Sequence, residues 1–488
     1  MKKQFAFSTI SVFGAALPGL VAAADLPVKV KPVEYGYICS MYGPGFVYVP
    51  GTDTCVKIGG YARFDAYQNA VATFTPMIIS TAGPAFNGPG TANFGYPFRD
   101  EDDNAFSTRA RTVVDFDGRT KTDYGLLRSY VRFGAQWQSA HGAGLPAGAT
   151  LYFERAFIQF GGFTFGYLQS FFDSGLNYFL TTPISGSNRW TTVAAYTAQF
   201  GGGWSSILSL EDAANRITGV QLTGSTAQPV FNISTATTGL GYTDYQAGQQ
   251  APDIVANLRY DGAWGSALLS GALHQVGVTA PLYAGFYPGM SSSDSWGWAV
   301  GGTVELKLPA LAAGDSMFIQ VGYATGAASY LGLSAQAQAT APGIGAIDLK
   351  QVGGFPTATG AFYTIADAVA VNGFGNYDLT SGWSLQGQFR HYWTPGLRSA
   401  LYAGYVAYDV PQNIVAAFNF NVRQVGVNTI WSPVKNLDIG AELLYSKVDG
   451  SVPLGNYVSV NSAGTPIASL VGGSTDLWSG GIRVQRNF

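Results

Sequence analysis

Two-residue alternation of polar and apolar side chains recurs along much of this chain and constrains its fold more than any other feature. Over residues 475–488, Leu477, Ser479, Gly481, Arg483, Gln485 and Asn487 alternate with Trp478, Gly480, Ile482, Val484, Arg486 and Phe488. A strand points successive side chains to opposite faces, so the pattern suits a wall with water on one side and lipid on the other. Taken alone, it also suits the edge strand of a soluble sheet. Residues 56–70 repeat it, with Lys57, Gly59, Tyr61, Arg63, Asp65 and Tyr67 against Val56, Ile58, Ala62, Phe64 and Ala66. In 106–117, Arg109, Arg111, Asp115 and Asp117 oppose Ala110, Thr112, Val114 and Phe116. In 123–138, Arg128, Arg132, Gln136 and Gln138 oppose Leu127, Val131, Phe133 and Trp137.

Turn chemistry joins such segments into hairpins. The first turn is placed around Asp117-Gly118; others fall at Gly161-Gly162, the Gly201 triplet, Asp261-Gly262, 309–314, Thr394-Pro395-Gly396 and 432–436. With the terminal segment the tally is about sixteen strands, an even number as in bacterial single-chain barrels. Between hairpins lie longer polar stretches: 71–105, 139–150, 173–190, 213–251, 276–294, 326–379, 410–420 and 449–474. Short turns at one end and long loops at the other are the pattern of periplasmic turns and extracellular loops, whereas a soluble sandwich has no reason to gather its long loops at one end.

Composition agrees. Only 11% of residues are charged and 47% are hydrophobic, where soluble domains carry about 25% charge. Beyond the N-terminus no apolar run is long enough for a membrane helix, which leaves a closed barrel as the structure that satisfies every backbone group in lipid. The expectation is an all-β, transmembrane antiparallel barrel over 25–488, with one loop folded into the pore. Residues 1–24, with Lys2 and Lys3, an apolar stretch and Ala22-Ala23-Ala24 before Asp25, read as a secretory signal peptide. Its removal takes the formal charge from −3 to −5, and no basic cluster of the kind that binds nucleic acid is expected. Cys39 and Cys55 lie in the exported part, where such a pair is more often a disulfide than a metal or catalytic site.

A barrel of this width leaves an aqueous channel, so function rests on what narrows it. The loop over 173–189, carrying Asp173, Asn177, Tyr178, Asn188 and Arg189, is the candidate constriction. Arg63, Arg109, Arg111, Arg128, Arg132 and Arg155 are expected to form a basic wall opposite it, giving a transverse field. The same arginines also suit plain charge pairing with Asp65, Asp115, Asp117 and Glu154. The acidic run Asp100-Glu101-Asp102-Asp103 reads as a solvated loop rather than a cation site. His141, His274 and His391 lack ligand-like spacing, so no metal site and no cofactor are implied. No enzyme is expected: His391 is the one candidate for a triad, and alternation sets it on the apolar side with Phe389.

The stretch from Cys39 to Cys55, Cys-Ser-Met-Tyr-Gly-Pro-Gly-Phe-Val-Tyr-Val-Pro-Gly-Thr-Asp-Thr-Cys, continued by Val-Lys-Ile-Gly-Gly-Tyr-Ala-Arg63, resembles the general porins of alphaproteobacteria. So do Arg155-Ala-Phe-Ile-Gln-Phe-Gly-Gly-Phe-Thr-Phe-Gly166, the Gln-Ser-Phe-Phe-Asp173 before the loop, and the final Phe488, which matches the insertion signal of outer-membrane barrels. The resemblance implies a homotrimer of sixteen-stranded barrels in the Gram-negative outer membrane, a third loop in the pore, and passive passage of small hydrophilic solutes and ions. It implies contact with membrane lipid and lipopolysaccharide, insertion by the barrel assembly machinery, and a Cys39–Cys55 disulfide. The chain departs from the family in the stretches 213–251 and 326–379, and in having Tyr167 where a basic pore residue is expected. Two alternatives remain: a selective channel with a track of loop aromatics for sugars, and a surface or adhesion barrel that displays its loops or is plugged by 326–379.

Overall fold

Sixteen strands close into one antiparallel sheet. The computed structural model describes residues 38–68, 106–139, 148–218, 248–278, 293–337, 365–371, 376–411, 419–451 and 474–488, with short strand fragments between them. The acidic run at 100–103, His141, the signal peptide and much of the loops 71–105, 139–150, 213–251, 276–294, 326–379, 410–420 and 449–474 lie outside the described residues. In chain order the barrel strands are β1 (Cys55–Gln68), β2 (Phe106–Thr122), β3 (Gly125–Gln138), β4 (Gly148–Phe160), β5 (Phe163–Gln169), β6 (Trp190–Gly201), β7 (Trp204–Glu211) and β8 (Asp253–Gly262). They continue as β9 (Gly265–Val278), β10 (Ser293–Lys307), β11 (Ser316–Thr325), β12 (Ser381–Thr394), β13 (Leu397–Asp409), β14 (Asn419–Val434), β15 (Leu437–Ser451) and β16 (Ser474–Asn487). Each pairs with its neighbours in sequence, and β16 returns to β1 with Arg63 opposite Gln485 and Asp65 opposite Arg483. No edge remains, so strands alone satisfy the backbone in lipid.

The alternation sorts the side chains as the sequence predicts. Ile58, Phe64, Phe133, Val425 and Ile482 are exposed outward, while their inward neighbours Asp65, Arg109 and Asp117 are buried. Tryptophans mark the two rims. Trp137, Trp296, Trp298, Trp383 and Trp478 lie toward the loop end, and Trp204, Trp264, Trp393 and Trp431 toward the turn end, all exposed. Several are paired with tyrosines, as in Trp383–Tyr405 at 4.8 Å and Tyr445–Trp478 at 5.0 Å. Amphipathic rings at both interfaces are what a bilayer-spanning barrel requires.

The first hairpin differs from expectation. Gly118 lies inside β2, paired to Val56 and Ser129, and the turn falls at Asp123-Tyr124. The Asp117 carboxylate is held instead by Arg119 Nη2 at 2.8 Å and Arg128 Nε at 2.8 Å, so the ladder overrides the Asp-Gly turn signal. Cys39 and Cys55 form a disulfide. It closes a small knot at the turn end in which Phe46 is buried beneath the Arg119 guanidinium, 4.7 Å from the ring centroid.

Candidate functional site: an arginine wall facing a pinned loop

Strands β1 to β4 and β16 line one side of the lumen with guanidinium groups. Asp65, fully buried, accepts from Arg109 Nη2 at 3.2 Å and Arg483 Nε at 2.6 Å and forms an ion pair with Arg63, whose Nε lies 3.0 Å away. On β4 a register shift beside Arg132 inserts one residue, so Glu154 faces the lumen and Arg155 falls opposite Arg132. Glu154 then accepts from the Tyr61 and Tyr152 hydroxyls at 3.1 Å and forms ion pairs with Arg132 at 2.8 Å and Arg111 at 4.0 Å. Aromatic rings support the cations: Arg111 stands 4.5 Å over Tyr152, Arg132 5.3 Å over Tyr61, and Arg155 4.4 Å over Trp190. Arg63, Arg111, Arg119, Arg128 and Arg132 keep between 11% and 25% of their side chains exposed, so solvent reaches this wall inside a closed barrel.

The loop over 170–189 leaves the wall after the short strand β5 and docks on the opposite side. Its neck is closed by Ser170 N–H donating to Arg189 O at 2.9 Å. Along its course, backbone amides find side-chain acceptors on the far wall. Tyr178 N–H reaches Gln388 Oε1 at 2.7 Å, Leu180 N–H reaches Glu442 Oε2 at 2.5 Å, Thr181 N–H reaches Glu442 Oε1 at 3.0 Å, and Ile184 N–H reaches Gln424 Oε1 at 3.1 Å. An irregular segment within a barrel must satisfy its amides somewhere, and these polar side chains do so. The Tyr178 hydroxyl donates to Glu305 Oε1 at 2.8 Å; burial pushes its pKa up to about 12, so it remains a donor at neutral pH. Gly186 lies so close to Gln320 and Gln386 that a Cβ would meet them at 2.3 and 2.4 Å, which fixes the loop against β11 and β12.

Asp173 differs from the sequence expectation. Rather than facing the arginines across the lumen, its side chain is buried at the loop's foot, 3.4 Å from Arg216 and accepting from Arg189 N–H at 2.5 Å. Pairing with a cation 43 residues away left no local signal in the sequence. Arg216 in turn lies 3.8 Å over the Tyr330 ring, Tyr330 donates to Asp253 at 2.6 Å, and Asp253 and Asp367 flank His274 at 2.8 and 3.6 Å. Burial pushes the Tyr330 phenol well above its ordinary value. This network ties residues 328–333 and 365–367 into the lumen. There Tyr330, Leu331, Leu333 and Ile365 pack on inward Val406, Tyr408, Phe420 and Val422. The inner face of β13 and β14 is therefore apolar at the loop end, because protein covers it.

Tyr167, the departure noted above, pairs with Ala156 and Thr192 and shares its face with outward Phe165. It is a wall residue of the outer surface, so its register assigns it no pore role. His391 lies beside Phe389, with Nδ1 2.6 Å from Asp315, and the Ser399 hydroxyl across the ladder is engaged by Trp393 Nε1 at 3.0 Å.

A profile described as a porin subfamily matches residues 25–480. The chain belongs to that porin family. Porin Omp2b of Brucella suis biovar 1 is 25% identical over 255 residues, covering 50% of this chain and 58% of that protein. A putative outer membrane protein, y4fJ, of Sinorhizobium fredii is 33% identical over 178 residues, covering 35% of this chain and 45% of that one. The match thus spans about half the length of these curated relatives. Among solved structures, the outer membrane channel DcaP of Acinetobacter baumannii superposes with a TM-score of 0.54 at 17% identity, covering 90% of this chain and 99% of that one, a likeness of fold. Porin membership assigns this barrel to the outer membrane.

Proposed function

We propose that this porin is a passive, water-filled channel for small hydrophilic solutes and ions. The supporting observation is the division of the lumen. The loop and the plug-like segment 328–333 are held on the side of β7 to β15, while the arginine wall of β1 to β4 and β16 keeps solvent access. Arg63, Arg111, Arg128, Arg132 and Arg155 are proposed to line the constriction, with Arg109 buried behind them against Asp65 and Arg189 at the loop's return. The tryptophans lend no support to an aromatic track, since Trp190 begins β6 and the other nine stand at the rims; most tyrosines of the long loops lie outside the described residues. Proteoliposome swelling tests the reading. Sugars of rising size should enter at rates that fall smoothly with size and show no competition; saturation by one sugar would favour a selective channel.

The remaining parts of the account are proposals that rest on family resemblance and sequence. Residues 1–24 serve as a cleaved export signal, three copies assemble in the membrane among lipid and lipopolysaccharide, and the assembly machinery reads the end at Phe488. Phe488 suits that role by position, donating its backbone N–H to Gly60 O at 3.1 Å where the barrel closes.

A further inference from the structure

We propose that the constriction prefers anions, with Arg155 and Arg390 as the residues that set the preference; this rests on the channel reading above. Two independent arrangements carry it. The first is the fate of the carboxylates. Those that meet the loop are spent on holding it: Glu442 on Leu180 and Thr181, Glu305 on Tyr178, Glu211 on the Phe171 N–H at 2.9 Å, and Asp173 on Arg216. Within 170–189 Asp173 and Arg189 are the only charged residues, so the loop offers the lumen no acid. Facing it, among the described residues, three guanidiniums share Asp65, two share Glu154 and two share Asp117. The open side of the lumen is thus positive within a chain whose formal charge is −3.

The second arrangement is a pair of guanidiniums that stand on aromatic rings outside any salt bridge. Arg155 stands on the Trp190 ring and Arg390, inward on β12, stands 4.4 Å over the Tyr178 ring. Neither makes a salt bridge among the described residues, and the Nε of each is buried without a hydrogen-bond partner. Arg390 is held by Ser316 Oγ at 3.1 Å. Both lie toward the turn end of their strands, one on the arginine wall and one beneath the docked loop. A ring face screens a guanidinium without neutralising it, and both side chains are partly exposed, so each presents its charge to a passing chloride or carboxylate. Low-dielectric walls focus that field and raise the local anion concentration.

The test is the reversal potential of the purified full-length protein in a planar bilayer across a potassium chloride gradient. The sign should report chloride as the more permeant ion. Arg155→Gln and Arg390→Gln should each lower the chloride-to-potassium permeability ratio by roughly twofold while conductance steps persist. Arg423→Gln, which removes an equal charge from the exposed outer face, should leave it unchanged. Normal steps with a zero or potassium-signed potential would overturn the anion preference and leave the channel standing. Equal shifts in all three variants would overturn the role of the two residues, and absence of any conductance in the unmodified protein would overturn the channel reading itself.

Discussion

Asp65 shows how much one inward residue can hold. Fully buried, it receives Arg63, Arg109 and Arg483, so it joins β1 to β2 and to β16 at the seam. Asp65→Asn would leave three guanidiniums around a neutral amide, and removing one partner of a buried ion cluster costs about 3–5 kcal/mol. The expected result is a folded barrel that converts to the unfolded gel band at a clearly lower temperature. Gly60 is the matching case of close approach. A Cβ there would meet Val113 O at 2.1 Å and the Phe488 ring at 2.8 Å, so Gly60→Ala should destabilise by about 1–3 kcal/mol, read in the same heat-shift assay. The inward face of Asp65 and its arginine partners was legible in the sequence because water and lipid demand opposite chemistry at successive positions. The pairing of Asp173 with Arg216 was not legible, since neither lies in an alternating segment and nothing local ties them together.

At the scale of elements, the loop over 170–189 is held by side chains of the far wall, and Glu442 is its most connected anchor. It accepts from the amides of Leu180 and Thr181, from the Thr181 hydroxyl and from Asn428. Glu442→Gln replaces one carboxylate oxygen by an NH2 that faces one of the two loop amides, and should loosen the loop at a cost of about 1–3 kcal/mol. Single-channel records should then show noisier, larger steps than the native protein. Strand existence was readable throughout, but turn position was not always. Asp117-Gly118 and Asp261-Gly262 both carry hairpin chemistry, yet each lies within a strand whose turn follows later, at Asp123-Tyr124 and Ala263-Trp264. At Gly118 continued pairing with Val56 and Ser129 outweighs the dipeptide's preference, whereas Asp261-Gly262 directly precedes its turn, with Gly262 paired to Gly265. Segments 328–333 and 365–367 left an even fainter trace: their apolar residues cover the inner face of β13 and β14 at the loop end, which therefore loses the polar alternation that marks water.

For the whole molecule, the disulfide and the barrel are separable. Cys39–Cys55 closes a span of 16 residues at the turn end and encloses Phe46, while the barrel closes through β1 and β16. Replacing both cysteines by serine should release the knot, worth about 3 kcal/mol by loop entropy, and open residues 38–54 to protease with barrel heat stability unchanged. Loss of the barrel itself would show that the knot is part of its closure. Passive permeation requires that the space between the arginine wall and the docked loop be an open aqueous path. Planar-bilayer recording on the purified full-length protein measures that directly. Stepwise conductance, linear in voltage and rising in proportion to salt concentration, is the predicted result; a tight membrane-inserted protein with no steps at any salt would contradict it.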